Sequence, residues 1–179
     1  MKTTLILILA IVLLRSSVAQ ACSCINPSGT EQKKIAAAYQ QDALIFVGRV
    51  LRVDTVTTTD TVRVAPTPTG SGGEQVHILQ HKKLQYTFAV SRKLKGEVSG
   101  RTVRVATEMQ SASCGRLFRV GGRYLVHTFL VSQKESLSGG EPENISPYYA
   151  TSLCNRGQEL NKTKRAELKQ LRELARAEG

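Results

Sequence analysis

Apolar positions in this chain fall into three patterns, and each predicts a different kind of segment. Leu5 to Leu14 form an unbroken apolar run between Lys2 and Arg15, too short to cross a bilayer. From Ala43 to Val131 the spacing is that of strands. Ala43 to Val53, with Ile45, Phe46, Val47, Val50 and Val53 interrupted by Gly48, predicts a strand with a bulge. Leu84, Tyr86, Phe88 and Val90 alternate along Leu84 to Leu94, and Val103 and Val105 mark a strand over Thr102 to Thr107. In Arg123 to Val131, Tyr124, Val126 and Thr128 alternate with Leu125, His127 and Phe129. Lys95-Gly96, Gly100 and Gly121-Gly122 supply the turns, so these short strands imply a small barrel or sandwich. Helical spacing appears twice, in Thr30 to Gln41 (Ile35, Ala36, Ala38, Tyr39) and in a C-terminal helix over Leu160 to Ala177 (Leu160, Leu168, Leu171, Leu174, Ala175) that packs on the barrel. The Thr-, Pro- and Gly-rich stretch Asp54 to Glu74 predicts an extended hairpin with a mobile tip at Pro66 to Gly73, adding little core.

The first segment has the layout of a secretory signal peptide: a basic start, the apolar run, then the small-residue site Ala19-Gln20-Ala21. Cleavage after Ala21 leaves residues 22–179, 158 residues, enough for one domain with a real core. Lys2 and Arg15 leave with the signal, so the net charge falls from +11 to +9. In an extracellular setting that charge suggests acidic polysaccharide or anionic surfaces sooner than nucleic acid, although dispersed basic residues also serve solubility. Cys22, Cys24, Cys114 and Cys154 all survive cleavage, and an even count in a secreted chain implies two disulfides. A direct Cys22 to Cys24 bridge is strained, which leaves two pairings, each tying the N-terminal strand to distant chain. A four-cysteine zinc site is the rival arrangement, but it wants two closely spaced pairs, and Cys114 and Cys154 stand alone.

Cleavage at Ala21 has a chemical consequence: the mature chain begins with Cys22. Its free α-amine and its own carbonyl oxygen then form a five-membered chelate on a residue that a disulfide pins, a ligand set for the open position of a catalytic zinc. Acylation of Cys22, as in a bacterial lipoprotein, abolishes that chelator, but Ala19 and Gln20 are poor residues before a lipoprotein cysteine. His77 and His81 have the four-residue spacing of metal ligands on a helix, yet they lie beside the predicted mobile loop with no acidic partner in sequence and read as surface histidines. Asn144-Ile145-Ser146 and Asn161-Lys162-Thr163 are glycosylation sequons in a eukaryotic source, the first weakened by Pro147. No nucleophile with a base, phosphate loop or supported carboxylate pair is present, so the chain does not read as an enzyme and calls for no cofactor of its own.

Taken together, Cys22-Ser23-Cys24 with Pro27, Phe46-Val47-Gly48-Arg49-Val50, Ser113-Cys114-Gly115 through Val120-Gly121-Gly122-Arg123-Tyr124-Leu125-Val126, and Thr151-Ser152-Leu153-Cys154 resemble the N-terminal, netrin-like domain of the tissue inhibitors of metalloproteinases. The resemblance covers nearly all of the mature chain. It implies an OB-fold, a five-stranded Greek-key barrel with flanking helices, and bridges from Cys22 to Cys114 and from Cys24 to Cys154. It also implies roles. Cys22 chelates the catalytic zinc of a target protease, Ser23 enters the substrate side-chain pocket, and Cys24 is the second anchor. Ser111, Ala112, Ser113 and Cys114 supply a second contact, and Ile25 and Pro27 extend the ridge. The family's third N-terminal bridge and its separate C-terminal subdomain have no counterpart in this sequence.

Two expectations follow. The first is a secreted inhibitor of zinc metalloproteinases, of matrix or disintegrin type. The second is an extracellular netrin-like module that binds heparan sulfate, another acidic matrix polysaccharide or a secreted protein without touching a protease zinc. OB-folds also bind single-stranded nucleic acid, but secretion, disulfides, few aromatics and no Trp argue against that use here.

Overall fold

The structure, a computed structural model, describes residues 22–24, 27–64, 75–134 and 141–178. The expected signal segment, Ile25 and the Pro66 to Gly73 tip lie outside these residues. The chain is mainly β, with a helix near each end of the described residues. Helix α1 is Glu31–Gln41, preceded by Thr30, whose extended backbone and side-chain oxygen, accepting from the Lys33 N–H, cap it. The strands are β1 (Leu44–Val64), β2 (Gln75–Lys95), β3 (Thr102–Glu108), β4 (Arg123–Lys134), β5 (Glu143–Ala150) and β6 (Gly157–Glu159). Helix α2 is Arg165–Glu178.

These strands form one sheet in the order β1-β2-β3-β5-β4-β6, and β1 also pairs with β4. Five strands therefore close into a ring, with β6 added on β4. Every pairing is antiparallel except β3 with β5. Closure explains the continuous apolar run Leu44 to Val47, because both faces of β1 are covered over these residues. Leu44 and Phe46 point into the ring, where Phe46, Tyr86, Phe88, Phe118 and Tyr124 pack together. Phe118 stands edge-on to Tyr86, Phe88 and Tyr124 at centroid distances of 5.0 to 5.1 Å, a favourable quadrupolar geometry. Ile45 and Val47 face the other way, into a second layer with Ile35 and Tyr39 of α1 and Leu171 of α2.

The bulge expected at Gly48 is present as a register shift between Val47 and Gly48. A Cβ there would lie 2.8 Å from the Phe46 ring and 2.9 Å from the Ala89 carbonyl oxygen, so only glycine fits. The Thr-rich stretch continues β1 to Val64 and pairs with β2 as a long hairpin whose outer half is exposed. Three elements differ from expectation. Leu160–Lys162 form a 3-10 turn, and α2 starts only at Arg165, because the buried Thr163 turns extended and donates its hydroxyl to the Glu159 carbonyl. Strands β5 and β6 are the other two, and neither carries an alternating apolar signal.

Candidate functional site

Cys22 is bonded to Cys114 and Cys24 to Cys154, the same pairing that the family resemblance implies. The two bridges abut, with Cys22 Sγ 3.7 Å from Cys154 Sγ. Ser23 lies between them and is exposed, while Cys22 and Cys24 are half-buried. Each cysteine of the C-x-C pair is thus fastened to a different loop.

The first loop follows β3. Ser111–Ser113 make a 3-10 turn that ends at Cys114, whose φ of 63° lies in the left-handed region. That conformation is costly for a residue with a Cβ and persists only where its surroundings over-determine it. Here the backbone N–H groups of Ser113 and Gly115 both donate to the Gln110 carbonyl, Cys114 donates to Ser111, and the Ser113 hydroxyl also donates to Gln110. Gly115 is required because a Cβ would collide with the Glu108 carbonyl oxygen.

The second loop follows β5 and carries Cys154. It is organised around Arg116, whose guanidinium donates to the carbonyls of Ser152 (3.1 Å), Leu153 (3.2 Å), Asn155 (2.6 Å) and Gly157 (2.8 Å). Burial pushes the Arg116 pKa below its ordinary value, yet four carbonyl acceptors suit a permanent cation. The two loops are also joined directly, by the Leu153 N–H donating to the Cys114 carbonyl at 2.8 Å. Beneath them lies a buried pair, Asp42 Oδ2 accepting from His127 Nδ1 at 2.6 Å. Asn155 donates to the other Asp42 oxygen, and the Thr151 hydroxyl donates to the His127 carbonyl. His127 Nε2 is buried without a partner among the described residues, and through Asn155 and Thr151 the pair braces the loop.

The structure therefore gathers Cys22, Ser23, Cys24, Cys114, Cys154 and the exposed residues Ser111, Ala112 and Ser113 at one end of the barrel. Pro27 is exposed before α1, and Ile25 lies outside the described residues. Sequence reasoning missed Arg116, Asp42, His127 and Asn155, which support the site without reaching its surface. Asp42 and His127 signal themselves as polar residues beside and inside apolar strand patterns, whereas Arg116 and Asn155 lie in loops and carry no such signal. The sulfurs of Cys22, Cys24 and Cys154 lie within 4.8 Å of one another, but sulfurs held in disulfides are not the thiolates that bind zinc.

His77 and His81 sit on strand β2 rather than a helix, and four residues along a strand separate them by roughly 13 Å. His81 has an acidic partner after all, Asp60 at 3.4 Å, because β1 brings residues 60 and 81 together across the hairpin. Of the sequon residues, Asn144 accepts from Gln133 on the neighbouring strand and Asn161 is exposed in the 3-10 turn. Among the described residues no helix is long and apolar enough to cross a membrane.

A comparison with models of known protein families found no match, and no curated protein matched the chain.

Proposed function

We propose that the mature chain is a secreted inhibitor of zinc metalloproteinases, of the kind the tissue inhibitors represent, built on an OB-fold barrel and acting through Cys22. The observation that carries this reading is the exposed Ser23 held between two bridged cysteines whose receiving loops are hydrogen-bonded to each other. A closed ring in the order β1-β2-β3-β5-β4, with one parallel pair, favours the OB assignment.

The mechanism follows from coordination chemistry. A catalytic zinc in a protease keeps three protein ligands and one position for water. The α-amine and carbonyl of Cys22 displace that water together, and the bridge to Cys114 fixes their direction, which lowers the ordering cost of binding. The amine must be unprotonated, and with a reference pKa of roughly 7.7 to 8.0 a useful fraction is available at neutral pH. Ser23 then enters the neighbouring substrate pocket, where its small side chain suits broad tolerance. Ile25 and Pro27 follow along the cleft, and Ser111 to Cys114 make the second contact. The zinc belongs to the protease, of matrix or disintegrin type.

The test is an added alanine before Cys22, made on protein whose Cys22 start has been verified by N-terminal sequencing. Inhibition of a metalloproteinase panel should weaken by about 100-fold or more, equivalent to roughly 3 kcal/mol, with unchanged unfolding. Inhibition that survives the extension excludes amine chelation.

A further inference from the structure

We infer a second, separate binding site, for an anionic saccharide unit of an acidic polysaccharide, at the cavity lined by Arg119 and Arg123, with Arg49 opposite Arg123 on the neighbouring strand. It shares no residue with the N-terminal cysteine site, and it does not depend on the zinc-capping reading.

The starting observation is an unfavourable one. Arg49 of β1 and Arg123 of β4 are directly opposite in the antiparallel ladder, both exposed and on the same face. Like charges in that arrangement destabilise a sheet. Neither Arg49, Arg119 nor Arg123 is in an ion pair among the described residues, whereas Arg52 and Arg156 both are. Among the described residues none of these three guanidinium groups has an ion-pair partner, and two of them stand at opposed ladder positions, so an anionic ligand would relieve their repulsion.

The backbone holds them in place. The Arg119 to Gly122 turn is hydrogen-bonded to β1 on both sides of Val50: Gly121 N–H donates to the Val50 carbonyl at 2.9 Å, and Val50 N–H donates to the Gly122 carbonyl at 3.0 Å. The Arg119 N–H donates to the buried Tyr124 hydroxyl at 3.0 Å. Arg119 and Arg123 consequently flank one rigid turn and line one open cavity of about 440 Å³, within the usual size of small-ligand sites.

The remaining lining decides which anion. Glu159 and Asn161 share the cavity with Arg119 and Arg123, and Lys162 pairs with Glu159 at 3.2 Å. A carboxylate and an amide beside guanidinium groups suit a ligand that carries hydroxyls together with sulfate or carboxylate groups. A bare oxyanion would gain from the arginines but meet the Glu159 carboxylate with nothing to donate to it. A concave site is likewise a poor match for a flat lipid surface. Guanidinium forks bind sulfate and carboxylate bidentately, so a sulfated or uronic disaccharide meets the whole lining.

The probe is a heparin octasaccharide, titrated against the full mature chain lacking a glycan at Asn161. Replacing Arg49, Arg119 and Arg123 together by Gln should weaken its binding by about 10-fold or more, and the salt dependence should flatten. A charge-matched control, with the exposed Arg101, Arg104 and Arg176 replaced by Gln, should stay within about 2-fold. Arg49→Gln alone should weaken binding and raise the thermal midpoint, because it removes the like-charge pair. That variant covers the case in which the triple change impairs folding. Equal losses in the triple variant and the control would reduce the effect to bulk charge and overturn the proposal, as would unchanged binding in the triple variant. Inorganic sulfate competing as well as the octasaccharide at equal sulfate concentration would mark a lone oxyanion site and also overturn it. So would cluster-dependent binding to phosphatidylserine vesicles without octasaccharide binding.

Discussion

Cys22 Sγ lies 3.7 Å from Cys154 Sγ although each sulfur is bonded to another partner. The contact makes one sulfur cluster of two bridges that close loops of very different span, 92 and 130 residues apart in sequence. It also means that the direction of the N-terminal segment is set at two adjoining points, by the turn after β3 and by the loop after β5.

The bridges should separate stability from inhibition. In the chain-entropy model each contributes about 4 to 5 kcal/mol, so the Cys22→Ala/Cys114→Ala and Cys24→Ala/Cys154→Ala pairs should lose similar amounts in denaturant unfolding. Both keep an α-amine and a carbonyl at position 22, yet the first removes the anchor on that residue. Its inhibition constant should therefore worsen about 10-fold more than that of the second. Equal inhibition by both would remove preorganisation from the mechanism.

Ser23 is exposed, so replacing it should leave stability within about 0.5 kcal/mol. Ser23→Arg should redistribute inhibition across a protease panel, with ratios between enzymes changing by about 10-fold. A uniform change across the panel, or none, would place Ser23 outside the substrate pocket.

Arg116 supports the Cys154 loop through four carbonyls. Arg116→Met should cost about 3 kcal/mol or more, because the acceptors lose a charged donor in a half-buried setting. Arg116→Lys should recover little, since an ammonium cannot reproduce the planar fork. Hydrogen exchange at residues 152–157 checks this directly, and protection retained in the Met variant would contradict it.

Tyr39 should make the fold sensitive to alkali. Burial, then its hydrogen bond to the Glu178 carboxylate, pushes the Tyr39 hydroxyl up to about 12 from 10.0. A folded-state pKa above the unfolded one gives stability that is complete below the unfolded value and is lost as pH rises through the folded value. Thermal midpoints should accordingly fall between pH 10 and 12, and Tyr39→Phe should flatten that decline relative to the parent protein. Parallel declines in the two proteins would refute the assignment.

Much of the barrel was legible in the chain because strand periodicity and turn residues agreed over Leu84 to Leu94, Thr102 to Thr107 and Arg123 to Val131. Strand β5 was not legible. Its sequence, Glu143 to Ala150, contains a sequon and Pro147, and its ladder with β4 skips from Tyr148 to Asn144 across an irregularity. Pairing with β3 and β4, rather than local propensity, makes it a strand. The stretch beyond Val53 is polar and poor in core by composition, and its exposure in the hairpin matches that. Its regular pairing to Val64 depends on cross-strand contacts that composition does not encode.

By itself the sequence determined the class of structure, a strand over Ala43 to Val53 with its bulge at Gly48, and an unusual cysteine pair near the start of the predicted mature chain. Local periodicity and residue chemistry suffice for each of these. The tertiary structure alone decided what stands around that pair. The Arg116 carbonyl cluster, the Asp42–His127 brace and the Leu153 to Cys114 hydrogen bond join residues that are 36 to 85 positions apart. So, too, the facing of Arg49 and Arg123 exists only because the sheet closes and brings β4 against β1.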